Sequence, residues 1–113
     1  MKRGEIWTAA GGQAYAGKPR PVVIVQDDRF DATDSITVCP LTSDPTPSLL
    51  FRVPIEPNPD NGLRKRSWVM ADKIAAIPKP RIRALVGRLD DEDVVSVNRA
   101  IFVFLGLAGA GSR

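Results

Sequence analysis

Prolines and glycines cut the first 89 residues into short apolar runs, and only the end of the chain departs from that rhythm. Ile6–Ala10 is the first run. A loop of small and polar residues, 11–21, separates it from Val22-Val23-Ile24-Val25. That unbroken β-branched run predicts a central strand buried on both faces. Ser35–Leu41 predicts the next strand, with Pro40 marking a bulge or its end because proline has no N–H for a ladder. Leu50–Ile55 alternates, and Pro54 restricts it to a sheet edge or a bulge. Asn58-Pro59-Asp60-Asn61-Gly62 is a turn signal, followed by strand candidates at Ser67–Met70, Ile74–Ile77 and Arg83–Gly87. Residues 1–113 contain no repeat and no linker, so they predict one mostly β domain, a small barrel.

A helix is predicted over about 90–105, leaving a tail at 106–113. Asp90 is a suitable N-cap, and Asp91, Glu92 and Asp93 put negative charge where the helix dipole favours it. Val94, Val97, Ile101, Phe104 and Leu105 recur at helical spacing, and Gly106 suits a left-handed end. Glu92, Ser96 and Arg99 form the opposite face, which Val103 joins. The last turn is therefore apolar nearly all round and needs cover, from loops of the same chain or from a second copy.

Composition narrows the chemistry. There is no histidine among the 113 residues, so imidazole relays and His-ligated zinc cannot be built within the chain. The single cysteine, Cys39, leaves no internal disulfide or cysteine metal cluster and fits a reducing compartment. No run approaches the roughly 20 apolar residues of a membrane span, and the start is not read as a signal peptide. The expectation is a soluble cytoplasmic protein without metal or cofactor. The net charge is +3, but from Arg64 to Arg88 eight basic residues accompany one acid, Asp72, ahead of four acids at 90–93. Such segregation points to an anionic ligand such as nucleic acid, with a solvated face as the plainer reading.

If the ligand is RNA, cleavage needs no protein nucleophile, because the ribose 2′-OH can attack the adjacent phosphate. The protein must align that phosphate and neutralise its developing charge. Arg20, held between Pro19 and Pro21, offers a bidentate fork on a stiff segment, or simply pairs with an acid. Thr42 and Ser43 offer hydroxyls to a phosphate, or cap the turn after their strand. Asp72 pairs with a neighbouring cation or contacts substrate. Tyr15, Phe30 and Trp68 are candidates for base stacking, although a strand tryptophan also suits a core.

The ordered segments Arg3-Gly4-Glu5-Ile6-Trp7, Gly17-Lys18-Pro19-Arg20-Pro21-Val22-Val23-Ile24-Val25 and Cys39-Pro40-Leu41-Thr42-Ser43 resemble blocks of the MazF/PemK toxins. Asn61-Gly62-Leu63, Met70-Ala71-Asp72-Lys73-Ile74 and Val86–Asp93 continue the resemblance, which covers about residues 2–107. It implies an SH3-like small barrel of the MazF/CcdB type with a C-terminal helix, forming a homodimer. It also implies a sequence-specific, metal-independent endoribonuclease acting on single-stranded mRNA and neutralised by a cognate antitoxin. The expected products are 2′,3′-cyclic phosphate and 5′-OH ends. Carried over by position, Arg20 and Thr42 are the catalytic pair, with Arg20 stabilising the phosphorane and protonating the leaving oxygen. Asp72 matches an acidic position near the RNA groove. Gln13, Tyr15, Lys18, Ser43, Arg64 and Arg66 join Asp72 as expected substrate contacts. Where some members carry a loop histidine or glutamate, this chain has Gln13 and Tyr15, and Met70 stands where others have arginine, which leaves the general base unassigned. Two alternatives remain at this level. One is a CcdB-like gyrase poison, disfavoured because Gly106–Arg113 lacks a Trp-Gly-Ile ending; the other is an RNA-binding barrel without activity.

Overall fold

The computed structural model describes residues 1–10, 18–45 and 50–107. Gln13 and Tyr15 therefore lie outside the described residues. The strands are β1 (Glu5–Ala9), β2 (Arg20–Ile24), β3 (Ser35–Thr42), β4 (Arg52–Ile55), β5 (Ser67–Met70), β6 (Ala75–Pro78) and β7 (Ile82–Arg88), followed by helix α1 (Asp91–Phe104). They hydrogen-bond in the order β4-β5-β3-β2-β1-β7, with β6 added to β3.

Strand β2 occupies the central position its sequence predicts. Val22, Val23 and Ile24 are all buried, and they alternate between two cores on opposite faces of the sheet. Val23 joins Ile6, Cys39, Leu41, Val69 and the α1 residues Val97 and Ala100 on one face. Val22 and Ile24 join Ala9, Ile36, Val38 and Ile77 on the other. Burial of both faces accounts for the unbroken β-branched run, since neither face needs a polar residue.

Pro40 neither ends β3 nor places a bulge at its end; the strand continues to Thr42. The Val25 amide donates to the Thr37 carbonyl, so odd positions of β3 turn their main-chain groups toward β2. Pro40 is out of phase and turns its nitrogen to the other edge. On that edge the partner changes from β6, at Val38↔Ala75, to β5, at Leu41↔Val69. A residue without an N–H sits at the junction and costs no ladder bond. Pro54 lies on the edge strand β4, as predicted.

The expected closed barrel is not formed: the sheet runs from a free β4 edge to a free β7 edge, so the fold is mainly β with a C-terminal helix on an open sheet. The loop between β4 and β5, Asn58–Gly62, packs against the end of β7, and one backbone bond joins them, from the Arg88 amide to the Asp60 carbonyl at 2.9 Å. Asn61 is fully buried in this loop. Its Oδ1 accepts from the amides of Asn58 and Leu63, at 3.1 and 3.0 Å, and its Nδ2 donates to the Glu56 carbonyl at 2.8 Å.

Helix α1 begins as its sequence implies, with the Asp90 carboxylate accepting from the Asp93 amide at 2.8 Å, and Gly106 follows it at φ +78°. The Arg3 guanidinium ties the helix to the sheet by donating to the Val25 carbonyl and to Asn98 Oδ1. Val97 and Ala100 are buried, while Phe104 rests on Phe51 with ring centroids 5.3 Å apart. The last turn is only partly covered among the described residues: Phe102 is 51% exposed, and Leu107 beyond it 57%. None of the described helices is long and apolar enough to cross a membrane.

Candidate active site

Arg20 and Thr42 are far apart in sequence but meet through strand register. Strands β2 and β3 pair Ile24↔Val38, Val23↔Cys39 and Val22↔Pro40. Arg20 and Thr42 each lie two residues beyond the last of these pairs, at the ends of the two strands. Both line an open groove of about 390 Å³ on the sheet face away from α1. Val38, Pro40, Met70, Ala75 and Ile77 form its apolar walls, and Asp44 and Lys73 supply the remaining charges.

Each polar group reaches the groove for a local reason. Arg20 opens β2, pairs across β1 with Ala9, and is exposed. No carboxylate among the described residues lies within salt-bridge distance of it. Thr42 ends β3, and its Oγ1 accepts from the Asp44 amide at 3.2 Å. The hydroxyl thus caps the turn as a strand-end threonine does, while its own proton stays available for donation. Lys73 sits in the 3₁₀ turn Ala71–Lys73 that follows β5.

Asp72 precedes Lys73 but does not line this groove. Its carboxylate takes both arms of the Arg52 fork, at 2.7 and 2.8 Å, with side chains only 13% and 19% exposed for Arg52 and Asp72. The pairing follows from register, because Arg52 lies opposite Met70, two residues before the acid. It fixes the turn that carries Lys73 into the groove. The Arg52 hydrogen bonds hold the Asp72 carboxyl below the usual carboxylate range, and Arg52 is raised in return. A lowered carboxylate pKa stabilises the fold above its unfolded value, and that stability disappears as pH falls through the folded value. Asp72→Asn should therefore lower stability by about 1–3 kcal/mol at neutral pH. Thermal melts at decreasing pH should show the gap to wild type closing as the wild-type carboxyl protonates; a constant gap would mean the ion pair is not its source.

The other expected contacts are dispersed. Lys18 and Ser43 are exposed beside Arg20 and Thr42 but are not among the groove's lining residues. Arg64 is exposed, whereas Arg66 pairs with Glu56 at 2.6 Å and lies over the Trp68 ring, 5.3 Å from its centroid. Neither arginine lines the groove. Trp68 is half-buried beneath Arg66, and Phe30 is exposed under Arg29. Sequence reasoning missed Lys73 and Asp44 as groove residues. A signal for Asp44 was present, since it stands two residues after Thr42, the spacing that repeats one face of an extended chain.

Burial pushes the Cys39 thiol up to about 12, so the chain's one cysteine is no nucleophile at neutral pH. Among the described residues no three His, Cys, Asp or Glu side chains gather to hold a metal ion. An arginine fork, a hydroxyl and a lysine on one open groove form a set suited to a phosphodiester.

The fold and this groove define a small β protein that presents cations and a hydroxyl at the end of its central strands. A family model for the PemK-like, MazF-like toxin of type II toxin–antitoxin systems matches residues 2–105. The chain is 52% identical over 109 residues to "Probable endoribonuclease MazF" of Mycolicibacterium smegmatis, across 96% of this chain and 100% of that protein. It is 30% identical over 118 residues to "Endoribonuclease MazF9" of Mycobacterium tuberculosis, across 95% and 98% of the two chains. The solved structure of "Mycobacterium tuberculosis toxin MazF-mt6" superposes with TM-score 0.77 at 26% identity, covering 91% of this chain and 97% of that one. A mycobacterial "Endoribonuclease in complex with its cognate antitoxin" has the same fold, with TM-score 0.80 at 23% identity over 95% and 96% of the chains. The chain belongs to the PemK/MazF-like toxin family of type II toxin–antitoxin systems.

Proposed function

We propose that this chain is the toxin of a toxin–antitoxin pair and an endoribonuclease that cleaves single-stranded RNA without a metal ion. The reading is supported by one groove lined by both Arg20 and Thr42, in a chain 52% identical to a protein named as an endoribonuclease. The ribose 2′-OH attacks its own 3′ phosphate, forming the P–O2′ bond as the P–O5′ bond breaks. Arg20 directs two N–H donors at the phosphoryl oxygens, where charge grows in the phosphorane, and at the leaving O5′. Thr42 donates its hydroxyl proton to a phosphate oxygen, Lys73 adds positive charge, and Met70, Pro40 and Ile77 pack against ribose and base. Asp72 acts through Arg52, holding the turn beneath Lys73. Lys18, Ser43, Arg64 and Arg66, with Gln13 and Tyr15 in the preceding loop, serve the flanking nucleotides. Messenger RNA as substrate puts the reaction in the cytoplasm.

The partners are a cognate antitoxin, supported by the antitoxin-bound relative of the same fold, and a second copy of the chain. Exposed Phe102 and Leu107 at the end of α1 support the homodimer, because a soluble protein gains from covering such a patch.

Purified protein incubated with a long, mixed-sequence, single-stranded RNA in excess EDTA should cut at a recurring short sequence. The fragments should carry 2′,3′-cyclic phosphate and 5′-OH ends. An uncut RNA would overturn the ribonuclease reading, and activity that disappears with EDTA would overturn metal independence.

A further inference from the structure

The reaction above needs an acceptor for the 2′-OH proton, and the chain has no histidine to provide one. Among the groove's described polar side chains, Arg20 and Lys73 are donors only, and the Thr42 hydroxyl, which accepts the Asp44 amide at 3.2 Å, is a neutral group too weakly basic to take a proton. Asp72 is held by both arms of Arg52, outside the groove. Asp44 alone remains among the described residues that line the groove. Asp44 lines the same groove as Arg20 and Thr42, and its amide donates to the Thr42 hydroxyl.

We propose that Asp44 is the general base of RNA cleavage in this protein. The inference rests on the ribonuclease reading and deepens it. A carboxylate is an unexpected occupant of a groove that must attract a polyanion, since it repels the phosphates that Arg20 and Lys73 draw in. For binding alone it is a cost, but for chemistry it supplies the missing acceptor. The step balances. The 2′-O–H proton passes to an Asp44 carboxylate oxygen, and the freed electron pair forms P–O2′. The P–O5′ pair leaves with O5′, which takes up a proton from water while Arg20 stabilises its charge. The Asp44 carboxylic acid then returns its proton to solvent. Arg20 from β2 and Lys73 from the turn after β5 are the other charged residues that line the groove with Asp44.

The test uses an oligonucleotide spanning a mapped cleavage site, together with a copy carrying 2′-deoxyribose at the cleaved nucleotide, which binds but cannot react. Asp44→Asn should lower kcat by about 10²-fold or more. It should also remove the acid limb of the kcat/KM profile, while binding the deoxy copy as tightly as wild type or tighter. Asp44→Glu should restore a measurable part of kcat and bring back the limb. Circular dichroism and a thermal melt check that both variants fold; Asp44 is exposed, so both should match wild type. Wild-type kcat with an unchanged pH profile in Asp44→Asn would overturn the proposal. A fall in activity explained by weaker binding of the deoxy copy, with the acid limb intact, would overturn it as well. Failure of the wild type to cut any RNA would instead overturn the ribonuclease reading, and the base assignment with it.

Discussion

Replacing Arg20 with alanine should lower RNA cleavage by about 10²–10³-fold, the cost of removing one pre-aimed donor from a developing oxyanion. The loss should fall on kcat more than on RNA affinity, because Lys73 and the surrounding basic residues still attract the backbone. Stability should barely change, since Arg20 is exposed at the start of β2 and makes no ion pair among the described residues. The fork matters as well as the charge. Arg20→Lys keeps one positive centre but loses the planar pair of donors, so it should remain well below wild type. Pro19 and Pro21 limit the backbone around this residue, which narrows the directions its side chain can leave the strand. Single-turnover cleavage of a mapped oligonucleotide measures the chemical step directly. Near-wild-type rates in Arg20→Ala would remove the residue from the mechanism.

How much of this molecule could be read from its residues depends on what each feature requires. The central strand was legible because a run of four β-branched residues has few homes other than a sheet covered on both faces. The helix start was legible from Asp90 and the three acids after it, as local a signal as a sequence carries. Arg20 and Thr42 were singled out by neighbouring prolines, by strand-end position and by family resemblance. Their meeting was not legible, because it depends on the β2–β3 register, which no short window encodes. The same holds for Asp72. The alternatives of pairing with a cation and contacting substrate were both open in sequence, and only the β4–β5 register brings Arg52 to it from 20 residues away. Barrel closure failed as an expectation for a related reason. A set of short strands says that a sheet will curl, but whether it closes depends on whether its two end strands pair, and β4 and β7 do not.

That loop carries the largest stability effect we expect. Gly62→Ala should cost about 2–4 kcal/mol, a large share of the ~5–15 kcal/mol by which a domain of this size is stable. Gly62 adopts φ +68°, which is unfavourable for any side chain, and a Cβ there would stand 2.2 Å from the Val86 carbonyl oxygen of β7. Neither partner yields easily. The β7 main chain is held by its ladder with β1, and the loop is pinned by the three hydrogen bonds of buried Asn61. Gly106 provides the control. It has a similar φ, +78°, but among the described residues a Cβ added there would meet nothing within 4 Å, so Gly106→Ala should cost only the backbone term of about 1–2 kcal/mol. Denaturant unfolding of the two variants separates strain from collision. Equal losses would mean that close packing on β7 contributes nothing at Gly62. A larger loss at Gly62 would show this contact holding β7 against β1, and through β1 the strand that begins with Arg20.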